Sequence, residues 1–319
     1  MPSRVLTNAD LEDMVETSDE WIVTRTGIHE RRIADESMTT SDMSYEACVQ
    51  ALADADMNAS DLDLIIVCTV TPDYSFPSVS CLLQDRLGAT KAAAFDLSAG
   101  CTGFVYGVVT AAQFIASGMY KNVLVIGTEK LSAITNWDDR STCVLFGDGA
   151  GAAVMGPCDR GEGVLSSYLG ADGSMGEFLC LPAGGTKEPI TEASIRDKRD
   201  KLYMNGSEVF KVAVRHMENA ILTVLDEIGE KPSAIDLLIP HQANRRIVDA
   251  VNKKLGLAPE KVVINLDRYG NTSAASVPIA LSESVKEGRL AHGDLLVMTS
   301  FGAGMTWGSV AVRWNRKER

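Results

Sequence analysis

Metal-ligand spacing, a disulfide framework, a membrane-length apolar run and a basic surplus are all missing from this 319-residue chain. The seven cysteines (Cys48, Cys68, Cys81, Cys101, Cys143, Cys158 and Cys180) form no Cys-x-x-Cys pair, and their total is odd. This excludes a zinc ribbon and a secreted disulfide scaffold, and points to a reducing compartment. Only His29, His216, His241 and His292 represent histidine, none spaced with another as a metal pair, so no metal is expected. No segment reaches the length of a membrane span and no secretory leader opens the chain, so a soluble, cytoplasmic protein is expected. With 30 basic against 43 acidic residues the net charge is −13, which argues against nucleic-acid binding. What remains is ordinary for a globular protein with a large core: 45% hydrophobic and 23% charged residues.

One grammar appears twice along the chain. Helix-period stretches at 45–55 and 209–228 each precede a buried-strand run, Leu62–Val67 and Ile235–Ile239. A second strand follows each, Ala92–Leu97 and Val262–Leu266. Each of these ends in a small-residue turn, Ser98-Ala-Gly-Cys101-Thr-Gly103 and Tyr269-Gly-Asn-Thr-Ser273. A helix then leads to a third strand, Asn122–Ile126 and Asp294–Met298. Such alternation implies parallel sheets with helices on both faces. The repetition predicts an α/β protein of two duplicated βαβαβ halves, 1–160 and 161–319, joined through the polar stretch Gly156–Gly163. Functional groups of such sheets collect at strand C-terminal ends. Cys101, His241 and Asn271 each lie just past one.

Cys101 stands between a strand and the helix-like stretch Phe104–Ser117. Unpaired N–H groups at a helix N-terminus favour an anion, so a lowered thiol pKa and a nucleophile are expected. A buried structural cysteine is the alternative. His241, fixed behind Pro240, reads either as a rigidly held catalytic imidazole or as a structural residue. Asn271 reads alone as a turn residue beside glycine, and gains weight only because its turn pairs with that of Cys101. The run Gly147-Asp-Gly-Ala-Gly151 lacks dinucleotide-loop spacing and is expected to be a bend before a strand at Ala152–Met155. Thr17-Ser-Asp-Glu20 has the capping-box pattern, which would make Trp21 a helix residue packed on the core.

The stretches around Cys101, Pro240-His-Gln-Ala-Asn244, Gly270-Asn-Thr-Ser-Ala-Ala-Ser276 and Phe301-Gly-Ala-Gly304 resemble the β-ketoacyl-acyl-carrier-protein synthase III family of the thiolase superfamily. So do Ser18-Asp-Glu-Trp-Ile-Val-Thr-Arg-Thr-Gly27 and Phe146-Gly-Asp-Gly-Ala-Gly-Ala-Ala153, in the family's order from Thr7 to Trp314. The resemblance implies a thiolase-like fold in α-β-α-β-α layers, a homodimer, and no cofactor beyond a coenzyme A thioester substrate. It makes Cys101 the acylated nucleophile with His241 and Asn271 as partners, and Cys101 and Ala303 the backbone oxyanion hole. It places Thr17, Trp21, Arg25, Arg140 and Asn244 at coenzyme A, and Phe76 in the partner's acyl pocket. The family normally opens with a short glycine-bearing strand ahead of Pro2, so one sheet position in the first half is expected to be open or filled by another segment.

The implied reaction joins a short acyl-coenzyme A, acetyl being favoured by the bulk of Phe76, to malonyl-acyl-carrier protein, with loss of carbon dioxide. Asparagine rather than a second histidine at 271 points to the initiating type. An acidic carrier protein requires a local basic patch on this acidic chain. Arg246, Lys253 and Lys254 share one helical face, while Lys211 and Arg215 form an i, i+4 pair on another helix. A solvated charged face is the alternative for both. Three other functions compete: a relative diverted to secondary metabolism, a non-condensing thioester-binding subunit, and, from the Cys, His and Asn set alone, a cysteine protease.

Overall fold

A computed structural model describes residues 1–315. An opening lobe contains β1 (Arg4–Thr7), α1 (Asn8–Glu12), α2 (Asp19–Thr26) and β2 (Glu30–Ile33). Then come α3 (Thr40–Asp54), β3 (Leu64–Cys68), α4 (Val79–Leu87), β4 (Ala93–Leu97) and α5 (Gly103–Ala116). β5 (Val123–Glu129), α6 (Arg140–Cys143) and β6 (Gly149–Met155) complete a first sheet. After β7 (Gly163–Ala171) the chain makes a small excursion through β8 (Leu179–Cys180), α7 (Glu192–Arg196) and β9 (Tyr203–Met204). The rest is α8 (Gly206–Glu227), β10 (Leu237–Pro240), α9 (Arg245–Leu255), α10 (Leu266–Tyr269), α11 (Ser276–Lys286), β11 (Leu295–Gly302) and β12 (Thr306–Arg313).

The two sheets, β4-β3-β5-β6 and β10-β11-β12-β7, share a three-strand unit, β3-β5-β6 in one and β10-β11-β12 in the other. In each, a central parallel pair (β3 with β5, β10 with β11) meets an antiparallel strand (β6, β12). Strand residues alternate between layers, as a period of two demands. Leu64, Ile66, Val123, Val125, Leu237, Ile239, Leu296 and Met298 enter one central core shared with α5 and α11. Ile65, Val67, Leu124 and Ile126 face α3 and α4 on one outside, whereas Leu238, Leu295 and Val297 face α8 and α9 on the other. The result is the expected α-β-α-β-α layering. Both faces of each parallel pair are buried, which explains the continuous apolar runs.

Helix ends follow local chemistry. Thr39 and Asp42 form a capping box on α3, and Asn244 caps α9, which stops at left-handed Gly256. The cap of α2 is Ser18, whose hydroxyl accepts from the Trp21 N–H at 3.2 Å, so the box expected on Thr17 and Glu20 does not form.

Two further expectations are corrected. The run at 262–266 is not a full strand: Val262 makes one isolated parallel bridge to Leu238, and Leu266 already starts α10. Asn265 breaks the run, bonding instead to Gln242 and Glu283. In the second sheet β12 is flanked by β7, but among the described residues no strand flanks the corresponding edge of β6. The Met1 side chain lies against Gly149 at the start of that edge, inside a groove of about 860 Å³ that includes Ala152, Val154 and Trp314.

Candidate active site

The corresponding strand ends of the two sheets meet. Cys101 occupies a 3₁₀ turn, Gly100–Thr102, directly ahead of α5, and is 8% exposed. The Ser300 hydroxyl donates to its carbonyl at 2.7 Å, locking it to the end of β11. Only glycine permits this approach. A side chain at position 302 would start 2.6 Å from the Cys101 nitrogen, and one at Gly100, where φ is +54°, would start 2.9 Å from the Ala303 nitrogen. The N–H groups of Cys101 and Ala303 both point at the thiol, the pair of donors expected to form the oxyanion hole.

His241 follows β10, its N–H donating to the Thr299 carbonyl at 2.8 Å. The ring is 2% exposed, and its Nδ1 lies 2.6 Å from the Ser276 hydroxyl at the start of α11. That oxygen also accepts from the Gln242 N–H at 3.4 Å, so its own hydrogen is free for Nδ1 and the arrangement favours the Nε2–H tautomer. Burial pushes the imidazole down to about 3, keeping it neutral. Asn271 hangs between Leu145 and Gly147 by backbone bonds of 2.8 and 3.1 Å. Its Oδ1 accepts from the Ser273 N–H at 2.9 Å, which leaves the Nδ2 hydrogens as donors.

The thiol departs from expectation. Burial raises Cys101 to about 11, more than the bonds from Ser273, Cys101 and Ala303 lower it. The reason is visible in the elements: α5 begins at Gly103, so Cys101 sits ahead of its first turn and inside an apolar wall.

Glu129 and Ser300 gave no sequence signal, and Ser273 and Ser276 stood in the quoted motif without a role. Glu129 ends β5 fully buried. It accepts from the Thr71 hydroxyl at 2.6 Å, and from the Thr69 hydroxyl, the Ser273 hydroxyl and the Val70 N–H at 3.2 Å each.

On α2, Trp21 is half-buried, with the guanidinium groups of Arg25 and Arg140 at 4.9 and 5.1 Å from its ring centre. Arg140 also donates to the Glu16 carbonyl at 2.7 Å. The Thr17 hydroxyl is buried without a partner among the described residues. Asn244 joins this group, donating to the Arg25 carbonyl at 3.1 Å while capping α9. Phe76 stands apart on an outer loop, 85% exposed beside Tyr74 at 60%. On the basic faces, Lys254 pairs with Glu218 and Lys211 with Glu208. Arg246 lies over the Phe210 ring, so α8 and α9 run side by side in the same direction. Among the described residues no group of His, Cys, Asp and Glu is placed to hold a metal ion.

A buried thiol that accepts from two backbone N–H groups, set between the ends of two layered sheets, belongs to a thiolase-fold condensing enzyme. Two family models match the chain: 3-oxoacyl-[acyl-carrier-protein] synthase III at residues 95–173, and the C-terminal part of the same synthase at 225–314. The chain is 56% identical over 316 residues to the β-ketoacyl-[acyl-carrier-protein] synthase III of Caldanaerobacter subterraneus subsp. tengcongensis, covering 99% of this chain and 96% of that one. Among solved structures, the 3-oxoacyl-[acyl-carrier-protein] synthase III of Aquifex aeolicus VF5 is 49% identical with a TM-score of 0.91, over 98% of this chain and 97% of that one. The priming β-ketosynthase of the R1128 polyketide pathway is 34% identical with a TM-score of 0.92, over 99% and 94%. The chain belongs to the β-ketoacyl-acyl-carrier-protein synthase III family, the acyltransferases that initiate fatty acid synthesis.

Proposed function

We propose that this chain condenses a short acyl-coenzyme A, acetyl above all, with malonyl-acyl-carrier protein through an acyl-Cys101 intermediate. The observation that carries the reading is the buried Cys101 thiol with the N–H groups of Cys101 and Ala303 as donors to it, in a chain of this family; the neutral His241 and the Asn271 amide are assigned as the second pair of donors. In the first half-reaction the Cys101 sulfur attacks the thioester carbonyl, and the two backbone N–H groups hold the oxyanion until coenzyme A leaves. In the second, malonyl thioester loses carbon dioxide, and the electron pair moves into an enolate whose oxygen faces His241 and Asn271. The enolate carbon then attacks acyl-Cys101 and expels the sulfur. A neutral imidazole suits this task, because it donates without surrendering a full proton.

The group around Trp21 supports the substrate assignment. Trp21 with Arg25 and Arg140 offers an aromatic face and cations to an adenine nucleotide, and the unpaired Thr17 hydroxyl adds a polar partner. We assign the acidic carrier protein to the outer face of α9, where Arg246 and Lys253 form no salt bridge among the described residues. Exposed Phe76 and Tyr74 support a second copy of the chain as the cover of that loop, with Phe76 closing the partner's acyl pocket.

Incubation with acetyl-coenzyme A should add one acetyl group, mapped to Cys101 and to none of the six other cysteines; a label elsewhere defeats the assignment. His241→Ala and Asn271→Ala should still load acetyl while malonyl decarboxylation falls about 10²–10³-fold, as loss of one oxyanion donor does. Equal loss of both half-reactions would mean that these residues serve Cys101 instead.

A further inference from the structure

A neutral buried thiol must lose its proton before or as it attacks, and nothing assigned above takes that proton. His241 is engaged at Nδ1 by Ser276, and burial opposes its becoming an imidazolium. The 273–275 turn packs against the turn that carries Cys101, and there the Ser273 hydroxyl donates to Glu129 Oε1 at 3.2 Å while favouring ionisation of the thiol. Ser273 is held there with φ at +49°, a left-handed conformation that a residue other than glycine rarely adopts. We infer that Ser273 and Glu129 form a proton relay for Cys101, the hydroxyl passing the thiol proton to the buried carboxylate as the acyl group is taken up. This rests on the reading that Cys101 is the acylated residue.

The surroundings of Glu129 support an acceptor rather than an inert anchor. The Thr69 hydroxyl already accepts from the Thr71 N–H at 3.1 Å and the Thr71 hydroxyl from the Lys130 N–H at 2.8 Å, so both hydroxyl hydrogens point at the carboxylate. No salt bridge neutralises it among the described residues. The Lys130 ammonium is turned to the carbonyls of Asp35, Glu36 and Met38. The ionisable groups that face it are the thiols of Cys101 and Cys68; Asp96, beyond Cys68, is tied to the first N–H groups of α4. Burial holds the carboxyl up at about 7, near the optimum for proton exchange at neutral pH. The negative charge of Glu129 also opposes a thiolate beside it, so the relay keeps one charge in the site where direct ionisation would place two.

The bookkeeping closes over both half-reactions. In acylation the S–H proton goes to Ser273 Oγ, the hydroxyl proton goes to Glu129, and the departing coenzyme A thiolate is protonated from solvent. In condensation the enolate expels Cys101 as a thiolate, which recovers its proton from Glu129 through Ser273.

The test is the pH profile of Cys101 acylation by acetyl-coenzyme A, followed by intact mass in single-turnover mixing. For the unaltered enzyme, the rate should rise between about pH 6 and 8 and then level as Glu129 ionises. Glu129→Gln preserves shape and lets the amide donate to Ser273, yet accepts no proton. Its rate should fall about 10²-fold or more at pH 8, rise about tenfold per pH unit with hydroxide, and draw level with the unaltered enzyme only at high pH, where the latter has already flattened. Ser273→Ala should give the same profile, because the Asn271 Oδ1 bond uses only the backbone N–H at 273. A loss that is uniform with pH, or an ascending limb near pH 7 that survives in a folded variant, overturns the relay; Ser273→Ala decides alone if Glu129→Gln fails to fold. If the unaltered enzyme takes no acyl group on Cys101, the parent reading has failed instead.

Discussion

At Cys101 two effects of opposite sign meet. A helix N-terminus is worth about 0.3–1 kcal/mol to an anion, less than the 1.36 kcal/mol that moves a pKa by one. Desolvation in the closed site exceeds it, and the thiol rises to about 11. A cysteine between glycines at a strand–helix junction made Cys101 legible as a candidate nucleophile, with a buried structural cysteine as the other reading. Its proton chemistry was not legible, since Ser273 and Glu129 are 144 residues apart and meet only in the fold. His241 gives a residue-scale prediction with a definite sign. The folded imidazole resists protonation down to about pH 3, whereas an unfolded one titrates near 6.5. Between those values the unfolded chain binds the extra proton, so this burial weakens the fold as pH falls through that window. His241→Asn should flatten the loss. Urea midpoints at pH 7 and pH 5 should separate less in the variant than in the unaltered protein, and equal separations would refute the buried neutral imidazole.

Among the elements, the strands read most clearly from sequence where both faces are buried, as in β3, β5 and β10 with their unbroken apolar runs. The 262–266 stretch deceived because three apolar residues suit a strand or a bridge equally, and Asn265 decides through bonds to distant Gln242 and Glu283. The α8–α9 pair was legible as two amphipathic helices, but its charge state was not. Lys211 and Lys254 are partly neutralised by their own neighbours, whereas Arg246 and Lys253 are not. Docking should accordingly depend on the latter two. Arg246→Glu with Lys253→Glu should raise the Michaelis constant for malonyl-carrier protein about tenfold and flatten its salt dependence, which is screened over roughly 8–10 Å. Acylation by acetyl-coenzyme A should stay within twofold. An unchanged Michaelis constant moves the docking face elsewhere.

For the whole molecule, the proposed role of exposed Phe76 would make primer choice a property of two chains. Phe76→Ala should shift preference toward longer acyl-coenzyme A primers by about 10-fold or more, the scale expected when a pocket gains room for methylenes. Sedimentation should return twice the 34.2 kDa chain mass, and a monomer that keeps the same primer preference would end the shared-pocket idea. The layered duplication was legible from repeated strand grammar, yet it concealed an asymmetry between the two sheets. β12 lies between two strands, whereas β6 has one strand neighbour among the described residues and lines a groove. An unpaired edge frays and invites foreign strands. In deuterium, the outward amides of β6 should therefore exchange well before those of β12, as the first part of an otherwise cooperative core to open.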